Sequence, residues 1–379
     1  MLNIAHSKRF CIRATRALVH SAQLLANLAF LRSQLNPGVG ICAAVKADAY
    51  GHGAVLVSQV LVKAGIERLA VATLEEGLEL RQAGIEVPIL LYGALQDSEW
   101  PEAAEANLEP FVSSRHQVEV LGASARVKGK VVRVHLKVDT GMGRLGCAPD
   151  DAVDLAHSIV HSPWLELEGI STHFASSEAP GPVSVSRQFE LFQQTLLELA
   201  DRGFAGRFVH AANSGALLGH AATHFNLVRP GISLYGYAPA GQPLPAGLKP
   251  ILKLVSQVAY LKTVPPGTPL SYGSKYVTSQ TTDVATIPIG YADGYRRSFS
   301  NVAPVVIGGK THHVSGTVCM DQILVDVGPD SGVKVGDEVV LLGGDAGAPT
   351  ADDLARLAGT ISYEVLCGLS RRIPRLLVD

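Results

Sequence analysis

The sequence predicts a parallel (β/α)8 barrel of the TIM type followed by a mostly antiparallel β domain. Short β-branched runs alternate with helix-like segments about eight times in roughly 200 residues, which is the count of a closed parallel barrel. Past Gly236 the texture changes to proline- and glycine-punctuated strands. The glycines Gly51 and Gly53 follow a lysine and a tyrosine rather than forming GxGxxG, which disfavours an open Rossmann-type sheet.

At 379 residues the chain suits one large domain and a smaller one. A division near residue 240 gives a barrel domain over 1–240, N-terminal segment included, and a β-rich domain over 241–379. Hydrophobic residues make up 47% and charged ones 17%, the balance of a well-packed enzyme. A net charge of −2 carries no electrostatic footprint for nucleic acid or an anionic membrane. The five cysteines show no CxxC spacing, which fits free thiols in a reducing compartment and no metal. No apolar run reaches the ~18 residues of a membrane span, so a cytoplasmic location is expected.

Ala14 to Leu31 reads as an amphipathic helix, its apolar residues broken by Arg16, His20, Gln23 and Asn27. Barrel strands are expected at 40–46, 68–73, 88–93, 109–114, 131–139, 165–173, 207–213 and 227–233. Helical patterns lie between them at 54–65, 74–84, 149–161 and 184–203. In the second domain strands are expected at 251–264, 284–289, 304–307, 312–318, 322–327 and 337–342. Pro265-Pro266-Gly267, Gly308-Gly309 and Gly343-Gly344 mark turns, and a helix at 351–358 precedes a last strand near the C-terminus.

Barrel chemistry sits where the strands end, because eight loops converge there. Lys46 closes the first strand, Arg144 follows the fifth, His173 ends the sixth, Ser214 the seventh, and Arg229 to Ile232 lie on the eighth. A lysine among apolar neighbours is partly desolvated, which lowers its pKa and prepares an amine for Schiff-base chemistry; the alternative is a side chain that snorkels to solvent. His173 also reads as a core histidine, Arg144 as an exposed loop charge, and Asn213 and Ser214 as helix caps. Arg229, inside an apolar strand, is harder to treat as incidental, because a buried guanidinium must be fully hydrogen-bonded. The chain around Ser214 and the N–H groups of Gly231 and Ile232 suit a phosphate. Together these residues fit a flat phosphorylated cofactor that condenses with an amine, pyridoxal phosphate.

The sequence resembles the alanine racemases over nearly its whole length. The resemblance rests on AVKADAYGHG at 44–53, VDTGMGRLG at 138–146, STHFASSE at 171–178, HAANSGA at 210–216 and RPGISLYG at 229–236. It continues through SYG at 271–273, PIGYADGY at 288–295, CMDQ at 319–322 and SYEVLCGLSRRIPR at 362–375. It implies interconversion of L- and D-alanine through an external aldimine with pyridoxal phosphate, the D-alanine serving as a peptidoglycan precursor or being degraded. Lys46 would hold the cofactor and act as the base on one face. Tyr272, supplied by the partner in a homodimer, would be the base on the other, since racemisation removes a proton from one side and returns it from the opposite one. A phenol needs its anion stabilised to serve as a base. By resemblance His173 hydrogen-bonds Tyr272, and Arg229 contacts His173 and faces the pyridine nitrogen. Tyr50, Asn213, Ser214, Gly231, Ile232 and Tyr363 match cofactor contacts, and Arg144, Met320 and Tyr291 match substrate contacts. Lys137 matches a lysine that is often carbamylated, with a plain structural lysine as the alternative.

Two positions depart from the family pattern: Thr317 stands where an arginine is usual, and Glu178 where an aspartate is usual. Both match the substrate corridor, and the expectation is somewhat relaxed access for amino acids larger than alanine. The competing readings are a broader amino-acid racemase, a fold-related amino-acid decarboxylase, and a non-catalytic cofactor-binding protein. A decarboxylase needs no second proton-transfer face and usually places a glutamate at the pyridine nitrogen, so Tyr272 and Arg229 favour the racemase. The full β domain argues against the binding protein, which resembles the barrel alone.

Overall fold

The computed structural model describes residues 12–177, 185–239, 241–343 and 347–379. They form two compact units, one of Leu24–Lys249 and one that joins the chain before Leu24 to Pro250–Asp379.

The chain enters through a strand, β1 (Arg16–His20), and a helix over Ser21–Ser33. This corrects the expectation of one continuous helix from Ala14. Ala17 and Val19 are fully buried, and β1 pairs antiparallel with one strand and parallel with another of the β unit. Two ladders of backbone hydrogen bonds outweigh the modest helix preference of these five residues. The same pairing corrects the expected domain division. Among the described residues, those before Leu24 group with the β unit rather than the barrel, and the boundary falls at Lys249/Pro250.

The barrel unit contains all eight expected strands: β2 (Gly40–Ala44), β3 (Arg68–Val71), β4 (Ile89–Leu91), β5 (Glu109–Val112), β6 (Val132–Lys137), β7 (Leu165–Ser171), β8 (Phe208–His210) and β9 (Leu227–Val228). They run parallel in the order β8-β7-β6-β5-β4-β3-β2-β9. Closure between β8 and β9 comes from backbone bonds, Asn226 N–H to Val209 O at 3.4 Å and Arg229 N–H to Ala212 O at 2.8 Å. The strands stop earlier than their apolar runs, because the last residues of each run peel away into the loops. The expected helices are found at Ala54–Lys63, Leu74–Gln82, Ala152–Val160 and Val185–Asp201. Thr73 and Glu76 start the second of these with a reciprocal capping box.

Cys42, Ala70, Leu90, Phe111 and Leu227 pack as an apolar cluster of the barrel. Burying a side chain of Leu or Phe size is worth ~1.5–3 kcal/mol, so this cluster helps offset the polar residues that share the unit's interior. Those include Arg68, Glu109, His135, Glu168 and His210. At the end of the barrel where the strands begin, a cavity of about 590 Å³ is lined by Arg32, Arg68, Arg133 and Arg207, among others. Three of these arginines are already matched, Arg32 to Glu67, Arg68 to Glu109 and Glu168, and Arg133 to Glu109. That end reads as structural.

In the β unit, β10 (Leu252–Gln257) is followed by β11 (Tyr260–Val264), β12 (Pro269–Leu270), β13 (Tyr276–Val277), β14 (Thr282–Ile287), β15 (Pro304–Ile307), β16 (Lys310–His313), β17 (Ile323–Gly328), β18 (Glu338–Leu342) and β19 (Arg375–Val378). A six-stranded sheet runs β16-β15-β18-β10-β1-β19, beside a three-stranded sheet β11-β14-β17 and the pair β12-β13. All of these pairings are antiparallel except β1 with β19. The expected single strand over 251–264 is two strands. At Val258 and Ala259 the chain leaves one sheet for the other, their N–H groups bonding Asp337 O and Thr286 O. The run over 312–318 stops as a strand at His313, with one further bridge from Val314 to Val325. Helices follow at Ala351–Ala358, as expected, and at Ser362–Cys367, which the periodicity does not signal.

Candidate active site

The loop after β2 is the most strained segment of the barrel unit. Directly after Lys46, Ala47, Asp48, Ala49 and Tyr50 all have φ between 52° and 54°, a left-handed turn built without glycine. Each such residue costs about 1–2 kcal/mol, so the surroundings must over-determine the turn. The Glu76 carboxylate accepts the Ala47 N–H at 2.6 Å, and Asp48 accepts the Ala54 N–H at 2.7 Å. The His52 ring bonds the Ala49 and Tyr50 carbonyls, each at 2.9 Å. The Tyr235 ring lies 4.5 Å from that of His52 and 4.9 Å from that of Tyr50, while its hydroxyl donates to Ala44 O at 2.7 Å.

The turn brings Tyr50 onto Gly231. A Cβ on Gly231 would lie 2.2 Å from the Tyr50 Oη, so only glycine fits there. Ser214 joins the same point, its Oγ accepting the N–H groups of Gly231 at 2.9 Å and Ser233 at 3.4 Å. Asn213 caps the helix Ser214–Gly219 through the Ala216 N–H, as its alternative reading anticipated. Tyr50, Ser214, Gly231 and Ile232 are thus gathered where β2, β8 and β9 end.

Arg229 is the buried hub beside them. The residue is 5% exposed, and its guanidinium donates to Thr172 O at 2.8 Å, Ala211 O at 3.1 Å, His210 Nδ1 at 2.6 Å and His173 Nδ1 at 3.2 Å. Burial pushes its pKa down, yet a guanidinium keeps its proton at neutral pH. His173 is held well below the usual histidine range by desolvation and by the charges of Arg229, Lys137, Arg144 and Lys46. Its imidazole is therefore neutral, and since Nδ1 faces a donor, its proton sits on Nε2. Gln188 fixes the backbone here, donating to His173 O at 3.2 Å and accepting the Ala175 N–H at 2.9 Å.

Lys137, at the end of β6, is 5% exposed and donates to Val138 O at 3.0 Å. Burial, then the charge of Arg229, pushes its amine from 10.5 down to about 7; Asp139 opposes the shift and Arg144 adds to it. Arg144 is exposed, on a loop drawn tight by Asp139, whose carboxylate accepts the N–H groups of Gly141, Met142 and Gly143 at 2.8 to 3.1 Å. Burial raises the Asp139 pKa, and these N–H groups outweigh it to leave a net lowering.

The remaining expected site residues lie in the β unit. Tyr272 is 71% exposed, on a turn where Ser271 has φ 61° and Gly273 φ 72°. Thr317, one of the two departures from the family pattern, is buried and donates from Oγ1 to Tyr272 O at 2.8 Å, while its own carbonyl accepts from Ser271 Oγ at 2.6 Å. Tyr291 and Met320 are neighbours through backbone bonds of Tyr291 N–H to Cys319 O and Ala292 N–H to Met320 O, both 3.0 Å. A Cβ on Gly290 would meet those same two carbonyls at 2.3 Å. Tyr363 sits on the helix Ser362–Cys367 of the β unit. Glu178 lies outside the described residues.

The sequence reading missed His210, the second imidazole on Arg229, and the buried polar residues behind it. The signal was present: Arg68, Glu109, His135, Glu168 and His210 interrupt strands that are otherwise apolar.

Residues 19–239 match the family described as alanine racemase, N-terminal domain, and residues 251–377 the alanine racemase, C-terminal domain. A relative in Treponema denticola named alanine racemase is 40% identical over 376 residues, covering 97% of this chain and 99% of its own. Another in Geobacter sulfurreducens is 42% identical over 373 residues, covering 97% and 98%. The crystal structure of alanine racemase from the D-cycloserine-producing Streptomyces lavendulae superposes with a TM-score of 0.91 at 38% identity, over 97% of each chain. That of the Bacillus anthracis enzyme with bound L-Ala-P gives 0.89 at 35% identity, over 97% of this chain and 95% of that one. By both halves of its sequence and by its fold, the chain belongs to the alanine racemase family.

Proposed function

We propose that the protein interconverts L- and D-alanine with pyridoxal phosphate, by proton transfer on two opposite faces between Lys46 and Tyr272. The observation that carries this is the gathering of Tyr50, Ser214 and Gly231 into one cradle beside Lys46, with the Arg229–His173 pair at the ends of the neighbouring strands. Racemisation of L-alanine by the purified protein, followed with a D-amino-acid-coupled assay, tests it; a protein that releases carbon dioxide instead would be a decarboxylase.

The residues fit the cofactor. Ser214 Oγ accepts the Gly231 and Ser233 N–H groups, which fixes the hydroxyl and leaves its O–H to donate to a phosphate oxygen. Lys46 would hold the cofactor covalently through its amine, Tyr50, Ser214, Gly231, Ile232 and Tyr363 would hold its phosphate end, Asn213 would be a further cofactor contact, and Arg229 would serve its ring nitrogen. Once bound, the cofactor supplies an electron sink for the Cα carbanion. Arg229, always charged, would give that nitrogen a donor and no acceptor for a proton of its own, which would limit the sink and restrain side reactions. Lys46 takes or returns the α-proton on one face, and the Tyr272 hydroxyl does so on the other, with His173 as its hydrogen-bond partner. By the resemblance, Arg144 and the Met320 N–H would orient the substrate carboxylate, and Tyr291 would be a further substrate contact.

Tyr272 reaches its site from the partner subunit of a homodimer, which suits its 71% exposure in the single chain. The relatives support a small-molecule substrate: the Bacillus anthracis structure carries L-Ala-P and a Clostridium difficile structure carries cycloserine. Among the described residues no helix is long and apolar enough to cross a membrane.

Lys137 is carbamylated in this reading. Only a neutral amine attacks carbon dioxide, and release of its proton through about pH 7 makes carbamate formation rise between pH 6 and 8. The new anion would face Arg144 and Arg229. A ¹³C NMR carbamate signal from protein equilibrated with labelled bicarbonate is expected to grow over that interval. Its absence at pH 8 would leave Lys137 a structural lysine.

Thr317 replaces a charge with a hydrogen bond to the Tyr272 backbone, so the corridor loses one cationic barrier. The serine-to-alanine ratio of kcat/KM is expected to fall several-fold in Thr317→Arg. An unchanged or higher ratio would count against relaxed access.

A further inference from the structure

A line of buried ionisable side chains leads away from Arg229 through the barrel unit, and nothing proposed above uses its far members. Arg229 Nη1 stands 2.6 Å from His210 Nδ1, His210 Nε2 stands 2.9 Å from His135 Nδ1, and His135 Nε2 stands 3.4 Å from Glu109 Oε2. Arg68 grips the same Glu109 oxygen. His210 and His135 are completely buried and Glu109 is 1% exposed. The two rings meet edge-on, at 76° and 5.0 Å between centroids, an arrangement that accommodates an N–H···N bond between imidazoles. Gly169 makes the room, since a Cβ there would lie 2.1 Å from His135 Nδ1.

The partners dictate where each proton sits. A guanidinium has donors and no acceptor, so His210 Nδ1 must be bare. A second proton on His210 would set two buried cations 2.6 Å apart, so the ring is neutral and carries its proton on Nε2. That proton faces His135 Nδ1, which must then be bare as well. The His135 proton is left on Nε2, pointing at the carboxylate of Glu109. Reversing one ring reverses the other, and the second reversal aims an N–H at the guanidinium.

We propose that His135 and Glu109 are positioning residues for the reaction. The carboxylate fixes one tautomer through two imidazoles, Arg229→His210→His135→Glu109, and so locks the Arg229 guanidinium in the orientation in which it also serves His173. The proton order stands on geometry alone; its effect on catalysis rests on the racemase reading.

Neutron diffraction of the deuterated holoenzyme reads the proton order directly. Deuterium on Nε2 and none on Nδ1 of both rings is expected, and deuterium on either Nδ1 overturns the proposal. For function, His135→Phe removes the acceptor, and His135→Asn offers an oxygen near the place of Nδ1. We expect kcat for alanine to fall roughly ten- to hundredfold in His135→Phe, with KM changed less, and to recover substantially in His135→Asn. Glu109→Gln, which removes the charge, is expected to alter the ¹⁵N tautomer signature of both rings. If His135→Phe folds and keeps wild-type kcat together with an Nε2-protonated His210, the positioning role is wrong. Should the wild type racemise no alanine while both rings carry deuterium on Nε2, the reaction assignment fails and the proton relay stands.

Discussion

Tyr272→Phe is expected to lower kcat for racemisation of L-alanine by about 10²–10⁴-fold, the usual contribution of a positioned acid or base, and to leave the cofactor absorbance unchanged. The substitution removes one hydroxyl and nothing from a core, since the side chain is 71% exposed in the chain. The backbone of residue 272 stays tied to Thr317 Oγ1 at 2.8 Å, so the loop keeps its path. Stability should therefore stay within about 0.5 kcal/mol of wild type, as for other exposed substitutions. The residual reaction should be lopsided. Lys46 still serves one face, so exchange of the α-proton with solvent should persist from the enantiomer whose proton faces Lys46. Wild-type racemisation in this variant would remove Tyr272 as a base.

Lys46→Ala is expected to abolish both the cofactor absorbance and racemisation, because no other amine of the barrel unit is assigned to bind the cofactor covalently. The variant also separates the shared-site arrangement from a site completed within one chain. Mixed by unfolding and refolding with Tyr272→Phe, it forms hybrid dimers in which one site lacks both residues and the other has both. Random reassortment of a two-fold dimer makes half the dimers hybrid and restores about one quarter of wild-type activity. Two inactive homodimers that stay inactive on mixing, although hybrids are shown to form, would mean that Lys46 and Tyr272 act in the same chain. The left-handed turn after Lys46 need not suffer, since Glu76, Asp48 and His52 hold it through groups other than the lysine amine.

The chemistry-bearing residues of the barrel were legible because each stands at the end of an apolar run, where the β/α rule puts loops. Lys46, His173, Ser214 and Arg229 were singled out as candidates by that rule and their own chemical character, and Lys137 by the resemblance alone. The contact between Arg229 and His173, expected from resemblance, is present at 3.2 Å. Three features resisted. The strand Arg16–His20 carries a pattern equally compatible with a helix, and only the strands on either side of it decide. Four consecutive left-handed residues without glycine contradict every local preference, so Ala47 to Tyr50 could be anticipated only as some kind of turn. His210, His135 and Glu109 lie on separate strands, and no spacing in the chain makes them neighbours.

The sequence by itself determined the barrel and the order of its strands, the β domain, and the candidate side chains for the reaction. Periodicity and residue chemistry are local properties, and a chain displays them before it folds. Tertiary structure alone decided which sheet the first strand joins, how Tyr50 meets Gly231, and which histidine nitrogens carry protons. These depend on distances between residues far apart in sequence and on burial, which turns a weak preference for one hydrogen-bond partner into an obligation.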